Sequence, residues 1–402
     1  MSKLKVVVMD NISELGNKVC DELNKQGKDI ILNVKRDRFS NGEGKVSIVD
    51  SVNGCDLYIL SDVGNYGQSY MMHGREHFMS PDEHFEDIKR VIAATSGHAS
   101  KINVIMPLLY QSRQHKRRGN ESLDCAIALQ ELERIGVNNI ITFDAHDPSI
   151  CNAIPRLPFE NFYPTHTILE NLIDSEDIND MLVISPDMGA MERARYYADM
   201  LGCDVGVFYK RRDLSKVVNG KNPIVEHMYM GANPDGKDVI IVDDMIASGG
   251  SMIEVAEHLR NKGAKNIYLI ATFSLFTEGV DKFIEAYDKG LFNKLYTTNL
   301  SYIPEDIKKL EWFVDVDCSK YLALIINTFN KKDDIESLWN GKKKVIDKIR
   351  KKMKEWELEF LVVVLILLIK CMKIWQNFYW MVMLIKLFLY QLVFIMNIKI
   401  IF

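Results

Sequence analysis

At 402 residues, with 47% hydrophobic and 26% charged side chains, the chain has the composition of a globular protein and the length for two ordinary domains. A net charge of −5, with basic residues only in local clusters, gives no reason to expect a nucleic-acid partner. Seven scattered cysteines without a Cys-x-x-Cys spacing exclude a disulfide framework or zinc site and point to reduced thiols, and the N-terminus runs into a strand without a signal peptide, so a cytoplasmic location is expected.

Short apolar runs alternate with amphipathic segments, which predicts parallel α/β sheets with helices on their faces. In the first half strands are expected at 5–9, 57–61, 103–106 and 139–143, and helices at 13–26, 81–94 (opened by Ser80 as N-cap) and 122–135. In the second half the strands are 181–185, 205–209, 239–242 and 267–271, and the helices 188–201, 251–262 and 280–289. Each half has a strand that ends in acids, Asp144 with His146 in one and Asp243-Asp244 in the other. Two similar units joined near 155–164 is the economical reading.

The run from Val239 to Ser251 is the most informative. Val239-Ile240-Ile241-Val242 is a strand buried on both faces, Asp243-Asp244 ends it, and Ser248-Gly249-Gly250-Ser251 turns into an amphipathic helix. Backbone N–H groups of a Gly-Gly turn close on a phosphate, and the helix dipole favours its charge. The two acids stand where hydroxyls attached to that phosphate would lie, so the expected ligand is a sugar phosphate at the carboxyl end of a parallel sheet. Upstream, Arg113, His115, Lys116, Arg117 and Arg118 crowd one loop. Such a run is often a solvated face, but beside a sugar-phosphate site a mobile cationic flap neutralises charge and excludes water. His73-Gly74-Arg75-Glu76-His77 reads as a surface loop rather than a metal site.

The acid-and-glycine run resembles the ribose-5-phosphate motif of the phosphoribosyltransferase fold. Together with Arg113-Gln114, Phe143-Asp144-Ala145-His146, Ser185-Pro186-Asp187 and Arg38-Phe39-Ser40-Asn41-Gly42-Glu43, in that family's order, it resembles the ribose-phosphate pyrophosphokinases over about residues 3–348. The resemblance implies two phosphoribosyltransferase-like domains. Residues 1–158 form the ATP side, with a mobile loop at 110–120, completed by 321–349. Residues 159–320 carry the ribose-5-phosphate loop 243–251. The implied reaction moves pyrophosphate from ATP to the C1 hydroxyl of ribose 5-phosphate, giving 5-phosphoribosyl 1-diphosphate and AMP, with Mg2+ and in a homo-oligomer.

By the same resemblance Arg113 and Gln114 contact ATP, and Phe39, Asn41 and Glu43 receive adenine, in the family from a neighbouring subunit. Asp243, Asp244, Ser248, Gly249, Gly250 and Ser251 hold ribose 5-phosphate, and His146 and Asp187 serve Mg2+. Arg113 and Arg193 are the expected catalytic cations. Three positions depart from the family pattern: His115 and Ala247 where it has Asp, and Glu192 where it has Lys, with Arg195, Lys210, Arg211 and Arg212 nearby as substitutes. A weakly active regulatory homologue and a phosphoribosyltransferase are the alternatives. Residues 356–402 contain no Gly, Pro, Ala, Ser, Thr, Asp, Arg or His. They read as an accident of translation in preference to a membrane anchor, although the apolar stretch from 378 to 398 nears the length of a span.

Overall fold

The structure, a computed structural model, describes residues 3–25, 30–176, 180–212, 224–339 and 341–352. The apolar stretch 356–402 lies outside them. By its contacts the chain divides into residues 1–341 and 342–402, and in the second unit 342–352 are helical. Among the described residues no helix is long and apolar enough to cross a membrane.

The first half runs β1 (Lys3–Val8), α1 (Ser13–Asn24), β2 (Val34–Arg38), β3 (Gly44–Ile48), β4 (Cys55–Leu60), β5 (Ser69–Met72), β6 (Arg75–Phe78), α2 (Pro81–Thr95), β7 (Lys101–Ile105), α3 (Asp124–Arg134), β8 (Asn139–Phe143) and β9 (Phe159–Phe162). Strands β1-β4-β7-β8-β9 form one parallel sheet. Its central strands are apolar on both faces because helices cover the sheet, and β4 is buried at every residue. The N-terminus of α2 is closed by a capping box between Ser80 and Glu83, with Pro81 at its first position.

The second half runs α4 (Thr165–Ser175), β10 (Met181–Ser185), α5 (Met191–Leu201), β11 (Asp204–Arg212), β12 (Ile224–Met230), β13 (Asp238–Ile246), α6 (Gly250–Asn261), β14 (Asn266–Ser274), α7 (Asp281–Asp288), β15 (Lys294–Thr298), α8 (Glu305–Lys308) and β16 (Phe313–Val316). Its sheet has the order β12-β11-β10-β13-β14-β15-β16, parallel except for β12 at one edge. Helix α9 (Ser319–Lys331) then packs Tyr321, Leu322, Ile325 and Ile326 into the core of the first half.

Several expectations are corrected. The strand expected to end at Val242 continues through both acids to Ile246, because Met245 and Ile246 stay in register with Phe273 and Ser274 of β14. The helix expected from residue 188 begins at Met191. Asp187 Oδ1 accepts from the N–H groups of Gly189 (2.8 Å) and Ala190 (3.1 Å) and folds the preceding residues into a turn. Residues 73–77 form part of a hairpin rather than a loop. His73 and Gly74, at φ +48° and +75°, make its two-residue turn, and His77 lies within β6 and pairs with Glu83 at 2.9 Å.

Candidate active site

The carboxyl ends of β8 and β13 meet where the two halves touch. Asp144 follows β8 in the left-handed region, φ +40°, and is 3% exposed. Its N–H donates to the Phe162 carbonyl at 2.8 Å, and the N–H of Ala145 donates to Asn161 Oδ1 at 2.9 Å. Its carboxylate points into the second half. Arg193 on α5 donates Nε to both oxygens, at 2.9 and 3.0 Å, and brings Nη2 within 2.9 Å of Oδ1. Thr272 of β14 donates its hydroxyl to Oδ2 at 2.6 Å.

Two residues further on, His146 donates from Nδ1 to Asp244 Oδ2 at 2.7 Å. That hydrogen bond raises the imidazole's pKa against the opposing effect of burial. Asp244 is almost fully buried, which on its own would raise its carboxyl, yet His146 and Arg193 hold it below the ordinary range. Its neighbour Asp243 goes the other way, raised by burial and by the Asp244 charge. The nearest Arg193 nitrogen is 3.9 Å from Asp243, too far to offset this. One acid of the pair is therefore committed to an ion pair, and the other takes the Asp244 backbone N–H on its Oδ1 at 2.9 Å.

After β13 the chain makes the expected anion turn. Gly249 has φ +72°, and a Cβ there would stand 2.2 Å from the Phe283 ring, so only glycine fits. Helix α6 opens at Gly250 with no side-chain cap on its N-terminus. Its first N–H groups and its dipole thus face the turn Ser248–Ser251, the arrangement that binds phosphate.

The cationic loop starts with a single turn over Ser112–Gln114, entered through Gln111 at φ +53°. Arg113 and Gln114 are exposed. The Arg113 guanidinium lies on the Met245 sulfur, at 3.0 and 3.2 Å, beside a cavity of about 150 Å³ lined by Val63, Leu108, Tyr110 and Leu275. His115 packs its ring 5.4 Å from that of His146 and lies 3.1 Å from Asp147. Phe39, Asn41 and Glu43 are at the exposed tip of the β2–β3 hairpin, where Asn41 Oδ1 accepts from the Glu43 N–H at 3.1 Å. The tip is braced by the neighbouring β5–β6 hairpin, through His73 N–H to the Ser40 carbonyl at 2.8 Å.

The structure thus brings together Arg193, His146, Asp243 and Asp244, with Arg113 one residue's reach away on Met245. Asp187 bonds to its own turn, and His146 is joined to Asp244 rather than to Asp187. Among the described residues no group of three or more His, Cys, Asp or Glu forms a ready metal cage. Glu192 is exposed, and the side chains of Lys210, Arg211 and Arg212 are not described. Sequence reasoning missed Thr272 and Met245. Neither carries a sequence signal, since a threonine and a methionine in apolar strands are ordinary.

Two family models match the chain: the N-terminal domain of ribose phosphate pyrophosphokinase over residues 4–136, and the phosphoribosyl transferase domain over residues 165–306. The ribose-phosphate pyrophosphokinase of Oceanobacillus iheyensis is 28% identical over 307 residues, 76% of this chain and 87% of that protein. That of Bacillus subtilis is 28% identical over 339 residues, 84% of this chain and 97% of its own length. Among solved structures, the phosphoribosylpyrophosphate synthetase of Mycobacterium smegmatis shares the fold, with a TM-score of 0.67 at 23% identity over 82% of this chain and 99% of that one.

Proposed function

The chain belongs to the ribose-phosphate pyrophosphokinase family, and we propose that it transfers the diphosphate of ATP to the C1 hydroxyl of ribose 5-phosphate. The products are 5-phosphoribosyl 1-diphosphate and AMP, for nucleotide biosynthesis. The observation that carries this reading is the acid pair at the end of β13. One of its members is tied to His146 of the other half, and a glycine turn and an uncapped helix follow immediately.

Ribose 5-phosphate sets its phosphate on Ser248, Gly249, Gly250 and Ser251 and its hydroxyls on Asp243 and Asp244. ATP lies across from it on Arg113 and Gln114, its adenine received by Phe39, Asn41 and Glu43 of a neighbouring copy, so a homo-oligomer is part of the proposal. His146 and Asp187 are the residues that would hold Mg2+, which supplies charge neutralisation to the ATP phosphates. The C1 oxygen forms a bond to the β-phosphorus as the bond from that phosphorus to the α-bridging oxygen breaks. The hydroxyl proton passes to solvent, and AMP leaves. No covalent enzyme intermediate is required, because positioning and charge supply most of the acceleration. A cytoplasmic location, expected from scattered cysteines without paired spacing, is part of the proposal.

The test is release of AMP from ATP by the purified chain, dependent on both Mg2+ and ribose 5-phosphate. ATP binding without AMP would favour the regulatory homologue, for which Ala247 and Glu192 argue; release of a base-linked nucleotide from the diphosphate product would favour a phosphoribosyltransferase. The roles separate by mutation. Asp243→Ala should raise the KM for ribose 5-phosphate, whereas Arg113→Ala should lower kcat by about 10²-fold, as loss of one oriented charge-stabilising donor does. Indistinguishable kinetics in the two variants would refute this division.

A further inference from the structure

We propose that Asp144, Arg193 and Thr272 form a clamp that sets the two walls of the site against each other, with Arg193 a positioning residue acting through Asp144 rather than a contact to the phosphates. The proposal rests on the function just argued, but its geometry does not.

The hook belongs to the first half. The backbone N–H groups of Asp144 and Ala145 are both bonded within that half, to Phe162 and Asn161, so the strand end cannot swing. The carboxylate on this fixed stem then receives an Arg193 fork and the Thr272 hydroxyl, both from the second half, with Asp144 and Thr272 buried and Arg193 nearly so. A charge-assisted fork of this kind is stiff and directional. Two residues along the same backbone stands His146, whose bond to Asp244 is the next link between the halves. The clamp therefore sets where His146 meets the acid pair.

Arg193 is 12% exposed, and Nε and Nη2 lie on Asp144. Its remaining nitrogen, Nη1, is 3.9 Å from Asp243. The guanidinium thus has no free fork for a phosphate. If Asp144 lost its charge, Arg193 would turn to the nearest carboxylates, Asp243 and Asp244. Those acids would then be neutralised where the sugar hydroxyls need them, so the cost should fall on ribose 5-phosphate and not on ATP.

Asp144→Asn isolates the charge, because asparagine tolerates the left-handed backbone that Asp144 adopts. Thr272→Val removes one donor without touching Arg193 and serves as the mild variant. With Arg193→Met and the Asp144→Asn/Arg193→Met double variant they complete a cycle, to be read by thermal unfolding and by steady-state kinetics in each substrate. Asp144→Asn should raise the KM for ribose 5-phosphate roughly 10-fold or more, the usual scale for a lost charge-assisted bond. Thr272→Val should raise it less, and neither should move the KM for ATP. The double variant should be no worse than the worse single one, in Tm and in kinetics. Additive effects would overturn the clamp, as would an ATP KM that rises in Arg193→Met while Asp144→Asn is silent. Should the wild-type chain release no AMP, the proposed activity fails, and coupling or additivity in Tm alone decides the clamp.

Discussion

Asp144 and Asp62 are both carboxylates of the first half buried against the second, and they are treated in opposite ways. Asp144, 3% exposed, has a guanidinium and a hydroxyl from the far side. Asp62, 1% exposed, has two backbone N–H groups, from Tyr302 at 2.7 Å and Gly64 at 2.9 Å, and no ion pair is seen for it among the described residues. Lys308, which lines the same cavity, is taken by Glu14 at 2.8 Å and Glu305 at 2.9 Å. Burial accordingly pushes the Asp62 carboxyl up to about 7 in spite of its two donors. The same edge of one parallel sheet thus holds a buried acid that is paired with a guanidinium, Asp144 after β8, and one that is held by backbone N–H groups, Asp62 after β4.

The largest effects should come from deleting each acid. Asp144→Ala leaves Arg193 buried beside a vanished partner and puts alanine at φ +40°, so it should cost about 3–5 kcal/mol, with roughly 1 kcal/mol more for the backbone. Asp62→Ala leaves two N–H groups facing a cavity of about 200 Å³, which water can enter, and relieves a carboxylate that resists ionisation there. It should cost about 1–2 kcal/mol at pH 8. Denaturant unfolding of both variants measures the difference; equal costs would erase the contrast.

A smaller and more specific effect lies in the pH dependence of Asp62. Its folded pKa of about 7 lies above the ordinary value of 3.8, so the folded state holds this proton more tightly than the unfolded one. The resulting stability is complete below the unfolded value and is lost as pH rises through about 4 to 7, by at most about 1.4 kcal/mol per pH unit. Asp62→Asn should remove that loss, giving a stability curve that falls less than the wild type's between pH 4 and 7. Parallel curves would mean that Asp62 ionises as it does in the unfolded chain.

Legibility in the sequence followed the reach of each interaction. Val239 to Val242 announced a buried strand, Ser80 announced a helix start, and Gly249 announced the anion turn, because each is decided within a few residues. Strands β15 and β16 escaped notice, and so did the β2–β3 and β5–β6 hairpins, whose residues show little apolar alternation. The acids and His146 were legible as a motif, but not their pairing, since His146 meets Asp244 across 98 positions and Thr272 meets Asp144 across 128. Arg193 was read as a cation for phosphates from its place after Asp187. The direction of its guanidinium depends on how α5 packs on its own sheet and on Asp144 arriving from the other half, which no local pattern records.

The smallest effect expected is at Glu192, next to Arg193 in sequence but exposed on the first turn of α5. If it opposed the neutralisation of phosphates, Glu192→Lys should raise turnover. An exposed charge acts through water, however, and contributes little. An acid in this turn also favours the helix N-terminus by about 0.3–1 kcal/mol, which a lysine would forfeit. The expected result is a turnover raised by less than about 3-fold, within what an exposed pair can supply, with a slightly lower Tm. A rise of about 10-fold or more, equal to about 1.4 kcal/mol of barrier, would mean that the site lacks a cation there. The charge assigned to the Arg113 flap would then have to come from α5 instead.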